Sequence, residues 1–171
     1  MDIIRKYILE TNHDIFLGNN YYTTETYKYT FEDDCILYEA DVENTDASFR
    51  WVLYLLPISN ELKETFFRMR MKIRIQNGLF LVHMKSIHEN LFDVEMTVTV
   101  NPENIEKVDY YSNSSIQEVN IHKMDLVSIN SIYSFSFLKN RVKSQMKSFV
   151  CRDFHNFIQH IQHWIMHEPV L

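Results

Sequence analysis

The sequence predicts an antiparallel β-sandwich closed by one amphipathic helix at its C-terminal end, and three observations predict it. Phe67 to Ile75 reads Phe-Arg-Met-Arg-Met-Lys-Ile-Arg-Ile, a period-two pattern that commits one face to a core and the other to charge. Seven or eight segments of strand character follow one another with turn chemistry between them, a number that suits a sandwich. From Val150 to Ile165 the period changes to three and four, which is helical.

In order, Ile3, Ile4, Tyr7 and Ile8 have helical spacing, but so short a stretch fits an edge strand equally well. Strands are expected over Tyr27 to Phe31, Cys35 to Val42, Phe49 to Leu56, Phe66 to Ile75, Leu79 to Lys85 and Phe92 to Val100. A weaker one is expected near Val119 to Val127, and another over Ile129 to Leu138. Asp33-Asp34, Asn44-Thr45-Asp46, Pro57-Ile58-Ser59-Asn60, Asn77-Gly78 and Asn101-Pro102 supply the turns. Asn77-Gly78 is the strongest of these signals and predicts an antiparallel hairpin. Asp109 to Glu118 is polar and reads as a loop. In the helix, Val150, Phe154, Phe157, Ile158, Ile161, Trp164 and Ile165 form one stripe, and Pro169 ends it.

At 171 residues, 46% hydrophobic and 23% charged, the chain fits one domain, with the sandwich over about residues 12–140 and the helix over about 145–167. Two glycines and three prolines leave no Gly-rich phosphate-cradling loop, which argues against the familiar nucleotide-dependent enzymes. A net charge of −6 opposes a polyphosphate at long range. Cys35 and Cys151 are too few for a disulfide scaffold or a four-cysteine zinc site. The N-terminal stretch has no apolar run long enough for secretion or membrane spanning, so the expected compartment is the cytoplasm, or the nucleus, with no membrane partner.

Arg68, Arg70, Lys72 and Arg74 form a row at roughly 6.6 Å intervals on the polar face of their strand. Acidic neighbours either compensate it, from Glu39, Asp41 and Glu43 or from Asp93 and Glu95, or leave it to an acidic partner. Tyr21, Tyr22, Tyr27 and Tyr29 cluster in a polar segment, as aromatics do at interfaces or over a sheet edge. His160, His163 and His167 share the helix face opposite the apolar stripe; the expectation is a solvated, pH-sensitive surface and not a metal site. Cys151 and His155 stand at i and i+4, the minimum for an activated thiol, without an orienting third group. No enzyme motif and no cofactor requirement emerges.

The order of these signals resembles the substrate-binding domain of the seven-in-absentia (Siah) family of ubiquitin ligases, a TRAF-like sandwich. The residues that carry the resemblance are Asp14-Ile15-Phe16-Leu17, Phe49 to Leu56 with the polar turn after it, Phe66 to Gly78, and Ser86-Ile87-His88-Glu89, covering roughly residues 14–90. The family pattern ends after Glu89, and its RING and zinc-finger cysteines have no counterpart. The resemblance implies an adaptor of the ubiquitin pathway that captures an extended peptide along a sheet edge near Tyr27 and Tyr29, forms dimers, and does not itself recruit the ubiquitin-charged enzyme. The expectation is therefore a non-catalytic protein-binding module. A nucleic-acid-binding module using Arg68 to Arg74 and a carrier of small hydrophobic ligands are its alternatives.

Overall fold

A computed structural model describes residues 2–16, 22–55, 60–87, 92–100, 116–126 and 135–167. The elements run α1 (Asp2–Thr11), β1 (Tyr22–Phe31), β2 (Ile36–Asn44), α2 (Ala47–Tyr54), α3 (Asn60–Phe67), β3 (Arg68–Gln76), β4 (Leu79–Ser86), β5 (Phe92–Val100), β6 (Ile116–Leu126) and α4 (Phe135–His167). The six strands form one antiparallel sheet in simple sequence order, β1 to β6.

The mainly antiparallel sheet and the C-terminal helix thus match the sequence expectation, but among the described residues the second layer is helical, with no second sheet. Alternation in β3 buries Met69, Met71, Ile73 and Ile75 and exposes Arg68, Arg70, Lys72 and Arg74. The same inner face carries Tyr38, Ala40 and Val42 of β2, Phe80, Val82 and Met84 of β4, and Val94, Met96 and Val98 of β5. Against it α4 lays Val142, Met146, Phe149, Val150, Phe154, Phe157, Ile158 and Ile161, recurring at three and four. Phe80 meets Phe154 edge to face at 4.7 Å between ring centroids. Each such side chain contributes about 1.5–3 kcal/mol by leaving water, so this interface dominates the stability.

The Asn77-Gly78 hairpin forms as expected: φ is 51° at Asn77 and 77° at Gly78, the paired positive values of a turn that matches strand twist. Helix α4 is longer than the apolar stripe suggested, at 33 residues. Its first turn takes Phe135 to Leu138, which a strand was expected to end on; the rest of that expected strand, residues 129–134, lies outside the described residues, as do Pro169 and residues 109–115 of the expected loop. Ile116 to Glu118 of that loop belong to β6.

The clearest correction concerns Phe49 to Leu56, expected as a strand. Residues Ala47–Tyr54 are helix α2. Asp46 caps it, accepting the Phe49 backbone N–H on Oδ1 at 3.0 Å, and Phe49 and Leu53, one turn apart, are the buried pair. An aspartate at the N-cap with apolar residues at i and i+4 outweighs the strand propensity of the aromatic and branched residues between them. Asn60–Phe67 is likewise helical, so β3 starts at Arg68. The segment 2–10, open from sequence, is α1.

Candidate functional site

The outer face of the sheet carries the basic row, and its register shows how the charges are arranged. Arg70 faces Asp41 of β2 and Lys72 faces Glu39, with Arg68 opposite Glu43. Arg70 Nε donates to Asp41 Oδ1 at 3.0 Å, and Lys72 Nζ lies 3.6 Å from Glu39 Oε1. On the other side, Lys85 and His83 of β4 stand opposite Arg70 and Lys72, and β5 brings Asp93 and Glu95 beyond them. Asp93 receives Lys123 Nζ at 2.8 Å and has His83 Nε2 at 2.6 Å. The face is therefore striped, two basic strands between two acidic ones. Such exposed pairs contribute only a few tenths of a kcal/mol each and chiefly fix register. Arg74 lies between Leu37 and Leu81.

Two shallow depressions occupy this face and share Arg70 and Lys72. One also takes in Tyr27, Lys28, Glu39 and Asp41, so carboxylates line it together with the cations. The other, of about 320 Å³, adds His83, Lys85, Ser86 and Ile87.

Tyr27 and Tyr29 sit on β1, the sheet edge, but their rings turn to the inner face. A bulge between Thr24 and Thr26 shifts the alternation, so that Tyr22, Tyr27, Tyr29 and Phe31 all oppose buried or inward residues of β2. Tyr27 donates its hydroxyl to the Asn12 carbonyl at 2.8 Å and Tyr29 to the His13 carbonyl at 2.7 Å, which ties β1 to the end of α1. Burial, reinforced by the neighbouring Asp14, pushes the Tyr29 phenol well above its ordinary pKa. Both hydroxyls are thus committed within the chain. The other backbone edge of β1 is unpaired by any strand among the described residues.

On α4, His160, His163 and His167 are exposed on the side opposite the apolar stripe. Among the described residues no group of three or more potential ligands is placed to hold a metal. Burial pushes the Cys151 thiol up, and His155 Nε2 lies 3.0 Å from Gln159 Nε2. Cys35 gives its thiol to Glu32 Oε2 at 3.0 Å, and that hydrogen bond, with burial, pushes it up too. Raised thiols are poor nucleophiles near neutrality. Among the described residues no helix is long and apolar enough to cross a membrane.

A different surface, invisible while residues 49–56 read as a strand, gathers at the corner of α2, α3 and α4. Burying Phe49 and Leu53 turns the opposite side of α2 outward, leaving Trp51 52% and Tyr54 69% exposed, with Leu55 beside them. Each exposed ring carries a cation: the Arg141 guanidinium of α4 lies 5.0 Å from the Trp51 centroid, and Lys63 Nζ of α3 lies 5.4 Å from that of Tyr54. A third cation, Arg50, sits 4.7 Å over Phe67. Lys63 also donates to the Tyr54 carbonyl at 3.2 Å, capping the end of α2 and holding its own charge in place. A groove of about 190 Å³ opens between Tyr54, Asn60, Lys63, Glu64 and Phe67. Trp, Tyr and Arg are the residues that concentrate binding energy at protein interfaces, and cations held over rings are already partly desolvated. In comparisons with family models, curated proteins and solved structures, nothing matches this chain.

Proposed function

We propose that the protein is a non-catalytic interaction module whose α2–α3 corner docks a protein partner that offers an apolar anchor flanked by acidic side chains. The observation that carries this reading is the pair Trp51 and Tyr54, each large, exposed and covered on one face by a cation. A leucine or aromatic side chain of the partner would enter the groove beside Tyr54, and its carboxylates would meet Lys63. In this reading the module works in the cytoplasm or nucleus.

The open edge of β1 remains a place where an extended peptide could add a strand, as in a Siah-type, TRAF-like adaptor. The α2 surface is preferred because the Tyr27 and Tyr29 hydroxyls are engaged with the Asn12 and His13 carbonyls just after α1, and because the Phe-rich segment that the resemblance treats as a strand is helical. Nucleic acid is disfavoured by the carboxylates interleaved with the basic row, and a hydrophobic cargo by aromatic side chains that fill the space between sheet and α4.

The test compares partner capture by the wild type with that by Trp51→Ala/Tyr54→Ala, Tyr27→Phe/Tyr29→Phe and Arg70→Glu/Lys72→Glu, all checked for native circular dichroism. Loss confined to the first variant supports the reading. Loss confined to the second moves the site to the β1 edge, and loss confined to the third moves it to the outer face.

A further inference from the structure

Asp153 interrupts the apolar stripe of α4. It falls between Phe149 and Phe157, one turn from each, where the helix faces the sheet, and it is fully buried. Among the described residues neither of its carboxyl oxygens has a hydrogen-bond partner. The Tyr22 hydroxyl and the Asn44 side-chain amide nitrogen are among the other buried groups in that condition, and they are the ones that lie toward Asp153.

Three contacts bring these groups to one place. Tyr22 and Asn44 are register partners at the end of the β1–β2 ladder, both facing inward. The Tyr22 ring stands edge to face on Phe149, one turn before Asp153, at 6.3 Å. Asp46, whose backbone N–H is held by Asn44 Oδ1 at 2.8 Å, reaches within 4.0 Å of Arg152, the neighbour of Asp153. Tyr22 senses both acids: burial first, then Asp153 and Asp46, push its phenol well above the ordinary value.

The chemistry of the set is complementary. The unsatisfied group of Asn44 is its N–H donor, Tyr22 offers an O–H donor and an acceptor, and Asp153 offers a carboxyl that donates through its retained proton and accepts through its other oxygen. An unsatisfied buried polar group is strongly unfavourable, and three in one place without mutual contact call for a bridge. We infer that Tyr22, Asn44 and Asp153 enclose an internal site for one small neutral molecule that both donates and accepts hydrogen bonds, a water, which joins the first strands to the last helix. A cation suits the set less well, because the Asn44 amide presents N–H groups to the same space.

The experiment uses the whole chain. In NMR spectra, the Asn44 side-chain amide protons should show cross-relaxation with a water held far longer than hydration water, retained in Asp153→Asn and lost in Asp153→Leu. A cycle of Tyr22→Phe and Asp153→Asn should depart from additivity by about tenfold in the unfolding equilibrium constant, although the two side chains do not touch. If Asp153→Leu fails to fold, the signal in the wild type and in Asp153→Asn, with that cycle, still decides. No long-lived water at Asn44, or an additive cycle, overturns the proposal. A melting temperature that rises with potassium or ammonium at constant ionic strength overturns it in favour of a cation.

Discussion

Tyr38 donates its hydroxyl to Asp14 Oδ1 at 2.6 Å inside the protein, and the same oxygen accepts the Phe16 backbone N–H at 2.8 Å. One carboxylate oxygen therefore fastens the turn after α1 to the middle of β2 and presents Phe16 to Tyr38 and Phe154. Burial, followed by the Asp14 charge, pushes the Tyr38 phenol far above its ordinary pKa, so it remains a donor. Tyr38→Phe should destabilise the fold by about 1–3 kcal/mol, because Asp14 loses a partner where water does not replace it. Urea denaturation measures this directly.

Asp46→Ala removes the cap of α2 and should lower stability by about 1 kcal/mol, with a larger loss of helical signal than a surface substitution of equal size. Asp46→Asn should restore most of it. Equal stability of Ala and Asn at this position would contradict the capping role.

Gly78 holds a positive φ in the β3–β4 hairpin and gives its carbonyl to the Val100 N–H at 2.8 Å. Gly78→Val forces a branched side chain into the left-handed region and should cost about 1–2 kcal/mol or more. Asn77→Gly should be nearly neutral. Thermal melts of the two variants check the contrast.

Asp153 gives stability a pH dependence of defined sign. Burial holds its carboxyl well above the ordinary value, with Arg152 only partly opposing. The folded protein therefore keeps a proton that the unfolded chain releases near pH 3.9. Stability is fully present below that point and declines as pH rises toward the folded value. Asp153→Asn should remove the decline. Asp93 works the other way: burial pushes it up, but Lys123 and His83 prevail and hold it below the ordinary value. Its contribution is present above the unfolded value and is lost as pH falls through the folded one. Denaturation midpoints of wild type, Asp153→Asn and Asp93→Asn across acid to neutral pH separate the two.

The strands were legible wherever alternation was strict, as in Phe67 to Ile75, because one face had to be buried in any fold that this segment joins. Helix α2 was not, since Phe49 to Leu56 is apolar at nearly every position and carries neither period; only Asp46, read as a cap, separates helix from strand. The orientation of Tyr27 and Tyr29 depends on a bulge at residue 25, which no residue type announces. Among the described residues the strands pair consecutively in one sheet, and alternation alone does not say whether successive hairpins extend one sheet or fold over into a second. Of the candidate surfaces, the charge compensation of Arg70 and Lys72 was readable from the acidic strand Ile36 to Val42, whereas Trp51 and Tyr54 gained meaning only once they stood on the outer side of a helix. Asp153 had a signal in the sequence, an acid between Phe149 and Phe157 in an apolar stripe, that pattern matching passes over.

The central claim is that the partner sits on the α2–α3 corner. Photo-crosslinking in the native host tests it most directly, with p-benzoylphenylalanine placed at position 51 or 54 and, as controls, in place of Lys28 on β1 or Lys85 on the outer face. Adducts with one common protein from positions 51 and 54, and none from 28 or 85, are the predicted result. Adducts only from the control positions would contradict the account.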